Sequence, residues 1–175
     1  MRKGLDRLYT VSGIVAAGLI VLICVVVSAQ VLLNFIGRIF GAAYSYTIPS
    51  YADFAGFFLA AASFLALAYT LTRGGHIRVT LLLQMLGPRA RLLADLVSLA
   101  LGAALSGYAT WYMFRLDFES WSFGDLSFGI IAIPIWIPQL AVSIGLLVLT
   151  IAFVDLFIQS LRAGRPVLSG PGEEV

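Results

Sequence analysis

The residues able to do chemistry in this chain are few, and their spacing brings no reactive set together. Across 175 residues there is one histidine, His76, one cysteine, Cys24, and nine Asp and Glu residues. One histidine cannot supply two axial haem ligands or a zinc cluster. One cysteine cannot form an intrachain disulfide. Cys24 lies inside an apolar run and reads as a small buried or lipid-facing hydrophobe. There is no glycine-rich nucleotide loop and no nucleophile spaced with a base and an orienting group. The chain therefore reads as no enzyme, with no cofactor or metal of its own. A net charge of +2 is too small to suggest nucleic-acid binding.

Polar residues recur at helical spacing instead. Gln30, Asn34 and Arg38 are four apart, so on a helix they share one face. Polar groups in hydrocarbon seek interhelical partners at roughly 1–2 kcal/mol each in model peptides. This stripe is a candidate contact for a partner helix, or else is satisfied within the chain, with Arg38 snorkelling to headgroups. Ser50 and Asp53 have the spacing of a capping box, and Asp53 would complement a helix N-terminus. Ala52, Gly56 and Ala60 form a small-residue face that permits close helix approach, a second partner-contact candidate. Gly102 with Ser106, and Ala103 with Gly107, repeat that pattern. Asp155 is assigned no transport role.

The elements carrying these residues must be membrane helices. The chain is 61% hydrophobic and 11% charged, against about 45–50% and about 25% in soluble domains. Four stretches approach or exceed the roughly 20 apolar residues that cross a bilayer: about 11–36, 52–71, 92–114 and 134–158. Helices satisfy their own backbone in lipid, and the alternation of a membrane barrel is missing. The expected fold is one all-α membrane domain over 1–165, with a tail from 166 to 175. Between spans two and three, residues 76–86 read as a short amphipathic interfacial helix, or a connector packed on the bundle. Arg73 just before it, and His76 and Arg78 within it, are candidates for the interface and its lipids.

Nine of the eleven Lys and Arg residues fall at the N-terminus, between spans two and three, or at the C-terminus; only Arg38 and Arg115 fall opposite. The positive-inside rule then places both termini in the cytoplasm. Asp117, Glu119 and Asp125 are expected in an outer loop. Trp111, Tyr112 and Trp136 fall at outer span ends, in the aromatic belt. Val27-Ser28-Ala29 could pass for a signal cleavage site, but the apolar stretch continues to Ile36, which favours an uncleaved anchor. Carboxylates are absent from the span centres, where ion-coupled carriers commonly place them. That argues against the runner-up, a stand-alone four-helix exporter or channel acting as a homo-oligomer.

A series of local features, in order, carries a resemblance. They are Arg38 after span one, Ile48-Pro49 with Asp53, Phe64-Leu65 with Ala68, Arg73 with Gly75-His76-Ile77-Arg78-Val79, and Ile133-Pro134-Ile135-Trp136. From Leu5 to Leu161 the chain resembles the small, DctQ-like membrane subunit of tripartite ATP-independent periplasmic (TRAP) transporters. Thr80 stands where such chains often carry Asp, and Asp53 where many carry Glu. The resemblance implies a bacterial inner-membrane scaffold with no substrate site of its own. Its expected partners are a large membrane subunit, a periplasmic solute-binding protein and phospholipids. It implies secondary transport, a symport in which a sodium gradient drives uptake of an organic acid such as a carboxylate. Sodium coupling and solute specificity would then lie in the partners. Outer-loop residues 115–129 are a candidate docking segment for the binding protein.

Overall fold

A computed structural model describes residues 2–41, 46–74 and 87–166. The expected interfacial helix over 76–86, with His76 and Arg78, lies outside the described residues, as does most of the C-terminal tail. Four helices follow one another: α1 (Arg2–Phe40), α2 (Tyr51–Thr72), α3 (Pro88–Phe123) and α4 (Trp136–Ala163). All four are long and apolar enough to cross a membrane. The protein is an all-α membrane protein, and among the described residues no strand forms beyond one isolated bridge, Leu126 to Pro134.

Local chemistry sets the helix ends. Pro88 occupies the first turn of α3, where a missing amide donor costs nothing. Gly124 ends α3 in the left-handed conformation (φ 67°), and the Asp125 N–H closes onto the Ser120 carbonyl. Gly74 does the same after α2, at φ 70°. Pro138 lies in the first turn of α4 and leaves the helix continuous. Charges did not end the helices where hydropathy fades: α3 runs through Arg115, Asp117 and Glu119 to Phe123.

The helices pack as a row in the order α1, α2, α4, α3, rather than as a closed bundle. Only a small contact joins α1 to α4, and α3 rests chiefly on α4. The core is therefore centred on α4, with Leu146, Val148, Leu149, Ala152 and Leu156 packed beside Ala68, Leu71 and Leu99. Glycine brings α4 close to both neighbours. A Cβ on Gly145 would stand 2.6 Å from the Phe64 carbonyl carbon of α2, and one on Gly102 of α3 would stand 2.5 Å from the Phe153 ring. Thus Gly102 packs within the chain, and so does Gly107, whose added Cβ would touch Thr150 at 3.6 Å. Away from these seams α1 and α3 expose large apolar side chains, among them Ile14, Val21, Phe35, Leu101 and Leu105. Cys24 is exposed on α1.

Candidate functional site

The polar side chains of the spans are the residues most able to carry function, and several of them join one helix to the next. Such contacts run along the seam between α3 and α4. Ser160 donates to Asp95 Oδ2 at 3.1 Å, Thr110 and Thr150 hydroxyls lie 3.2 Å apart, and Ser143 donates to Asp117 Oδ2 at 2.5 Å. At 1.5 Å per residue the two Asp–Ser contacts stand about 26 Å apart along α4 and about 33 Å apart along α3. Those spacings bracket the ~30 Å hydrocarbon thickness. The paired carboxylates thus fall near its two edges, with the threonine contact between them.

Asp117 corrects the sequence reading. It was expected in an outer loop, yet it lies on α3, 7% exposed, facing Ser143. Its Oδ1 and the Oε1 of Gln139 are buried acceptors with no hydrogen-bond partner. Glu119, two residues on, is exposed. Sequence offered no sign of this, because helix termination came two turns after the first charge.

At the opposite end of the row Tyr9 of α1 donates to Asp155 of α4 at 3.4 Å, which brings the N-terminal and C-terminal helices together. Ser12 donates to the Leu65 carbonyl of α2. Asp155 therefore has a structural partner.

The Gln30, Asn34 and Arg38 stripe divides. Gln30 is 2% exposed and engaged inside the chain through both ends of its amide: its Nε2 donates to Asn34 Oδ1 at 2.8 Å, and its Oε1 accepts the Ile48 N–H at 2.7 Å. Gln30 is thus no surface contact; it pins the start of α2 to α1. Asn34 and Arg38 are exposed.

Ser50 and Asp53 form no capping box. Ser50 has a left-handed backbone (φ 55°) and makes no side-chain cap bond. Its hydroxyl instead accepts the Ile131 N–H at 2.9 Å. This contact seats the 124–135 segment on the start of α2. A Cβ on Gly129 would collide with Asp53 Oδ2 and fall 2.7 Å from Ser50 Oγ, so the segment touches α2 through a glycine. Ser127 holds it folded, donating its N–H to the Ile133 carbonyl at 2.9 Å and accepting the Ile133 N–H at 3.0 Å.

Ala52 and Gly56 are exposed and Ala60 half-buried; a Cβ on Gly56 would meet nothing within 4 Å. That small-residue face makes no close packing inside the chain. Trp111 is exposed and Trp136 half-buried, both toward the end of the row that holds Asp117. Arg73 follows α2, its guanidinium carbon 5.3 Å from the Tyr69 ring centre.

Comparison with known proteins decides the family. The family model described as "Tripartite ATP-independent periplasmic transporters, DctQ component" matches residues 23–163. The chain belongs to the DctQ family. It is a small membrane component of TRAP transporters, and the family is a transporter component and not an enzyme. TRAP systems in general pair this DctQ component with a large membrane subunit and a periplasmic binding protein. No curated protein and no solved structure matches the chain.

Proposed function

We propose that this DctQ chain is the fixed scaffold of a sodium-driven TRAP importer. In this reading it grips the large membrane subunit, widens its footprint in the bilayer and anchors it in the bacterial inner membrane. The large subunit carries the organic-acid and sodium sites and moves; the periplasmic protein delivers the solute. The end of the row bearing Arg73, Arg89, Arg91 and Arg162 faces the cytoplasm, as the positive-inside rule requires.

The row-like packing supports this most. A self-sufficient carrier encloses a path between helices, whereas here each helix meets its neighbours edge to edge. The interhelical polar contacts described above hold the row rigid and leave two broad apolar sides. One edge of α2 also presents the unfilled Ala52 and Gly56 face. Small residues are how membrane helices let a partner approach.

The deciding experiment expresses the tagged chain from its native operon, extracts it gently and identifies what co-purifies. A much larger multi-helix membrane protein in equal amount is the expected result. A lone monomer or homo-oligomer, in several mild detergents and in nanodiscs, would overturn the scaffold role.

A further inference from the structure

Asp6, Tyr9 and Thr10 of α1 and Tyr69, Thr72 and Arg73 of α2 line a cavity of about 340 Å³ at the end of the row where the N- and C-terminal helices meet. The Tyr69 ring of that lining also packs closely on α1: a Cβ on Gly13 would stand 2.8 Å from Tyr69 Cγ. Asp6 and Arg73 both border the cavity, yet they form no ion pair with each other, and Arg73 lies over the Tyr69 ring. Asp155 engages the Tyr9 hydroxyl, so Asp6 supplies the cavity's carboxylate.

The hydroxyls have a defined polarity. Thr10 donates its hydrogen to the Asp6 carbonyl at 2.8 Å, and Thr72 donates to the Ala68 carbonyl at 3.0 Å. Each has one hydrogen to give, so toward the cavity both oxygens present acceptor lone pairs. The lining thus offers a cation for an anion at one place, and a carboxylate with two hydroxyl acceptors for an N–H-bearing cation at another. From this end α1 continues into the membrane with exposed Val11, Ile14 and Val15.

We propose that this cleft binds the headgroup of a phospholipid that carries a primary ammonium, such as phosphatidylethanolamine. The phosphate sits on the Arg73 guanidinium. The ammonium donates to the Asp6 carboxylate and the Thr10 and Thr72 oxygens, and the acyl chains follow the apolar side of α1. Phosphatidylglycerol lacks the cation, and phosphatidylcholine lacks the N–H donors. The site is independent of the scaffold role, since it rests on α1 and α2 alone.

The test is native mass spectrometry of the full chain, with any partner it retains, after exchange into equal mixtures of phosphatidylethanolamine, phosphatidylglycerol and phosphatidylcholine with matched acyl chains. Wild type is expected to retain phosphatidylethanolamine preferentially. Arg73→Gln should lower retention of all three by about fivefold, the worth of one surface cation at a headgroup. Asp6→Asn should remove the preference for phosphatidylethanolamine while leaving phosphatidylglycerol bound. Both residues are exposed, and unchanged helical circular dichroism verifies folding. Equal retention of the three lipids by wild type, or an undiminished preference in Asp6→Asn, would overturn the proposal. A soluble arm separates lipid from free headgroup: glycerophosphoethanolamine is expected not to displace the lipid at equal concentration, and displacement would overturn a lipid site. Loss of the large subunit on purification would not alter these outcomes.

Discussion

The Asp117 carboxylate of α3 accepts a hydrogen bond from Ser143 of α4 through Oδ2, while its Oδ1 is buried and unpaired. A carboxylate two turns from the end of α3 is thereby part of the seam between two spans. Asp117→Asn keeps an acceptor for Ser143 and removes a buried carboxylate, so thermal stability in detergent should hold or rise. Asp117→Ala should lose an interhelical bond worth about 0.6 kcal/mol, up to about 1.7. A thermal unfolding comparison of the two variants checks this; equal losses would contradict the assignment.

The same burial separates Asp117 from Glu119 in tests of docking. Asp117→Lys forces an unpaired charge into the seam and should lower the yield of folded protein. Glu119→Lys lies on an exposed position and should leave yield unchanged. If the outer end of α3 receives the binding protein, Glu119→Lys weakens that association. Binding-protein affinity measured on reconstituted complex decides this point, and unaltered affinity removes this docking role.

Gly145 and Gly56 should respond differently to an added side chain. At Gly145 an added methyl meets the Phe64 backbone at 2.6 Å, which cannot swing aside. Gly145→Ala should therefore destabilise the isolated chain by about 1–3 kcal/mol, as overpacking does. Gly56→Leu extends from a position where an added Cβ has nothing within 4 Å. It should leave the isolated chain as stable as wild type and reduce recovery of the large subunit. Normal recovery would mean that this face looks at lipid.

Gln30 should matter through the backbone of the next element. Gln30→Leu leaves the Ile48 N–H without its acceptor, a loss of about 1–3 kcal/mol where that group stays buried. Gln30→Glu retains the acceptor and should lose less. Hydrogen exchange at Ile48, faster in Gln30→Leu than in Gln30→Glu, is the expected reading.

Ser50 holds the 124–135 segment by one bond to Ile131. Ser50→Ala should speed amide exchange at Ile131 and leave Ile133 protected, since Ser127 holds Ile133. Gly129→Ala places a methyl against Asp53 and Ser50 and should release both. Protection of Ile131 in either variant would show that other contacts seat the segment.

Four apolar membrane helices and the gathering of basic residues at one end are legible in the sequence alone. The sequence also carried the ordered local features, from Ile48-Pro49 to Ile133-Pro134-Ile135-Trp136, by which the DctQ family was recognisable. These properties are local: hydropathy adds along a window, and a proline or glycine acts within a turn. Which polar residue meets which depends instead on how the helices pack in three dimensions. Ser50 and Asp53 have capping-box spacing, but a left-handed Ser50 aims its hydroxyl at Ile131, 81 residues away in sequence. Gln30 belongs to a surface-like stripe, yet Ile48 folds back onto it. Asp117 looked like a loop residue because charge usually ends a span; packing against Ser143 keeps it in the helix. In each case the outcome depends on the register between helices, which long-range packing sets and a short window of sequence does not contain.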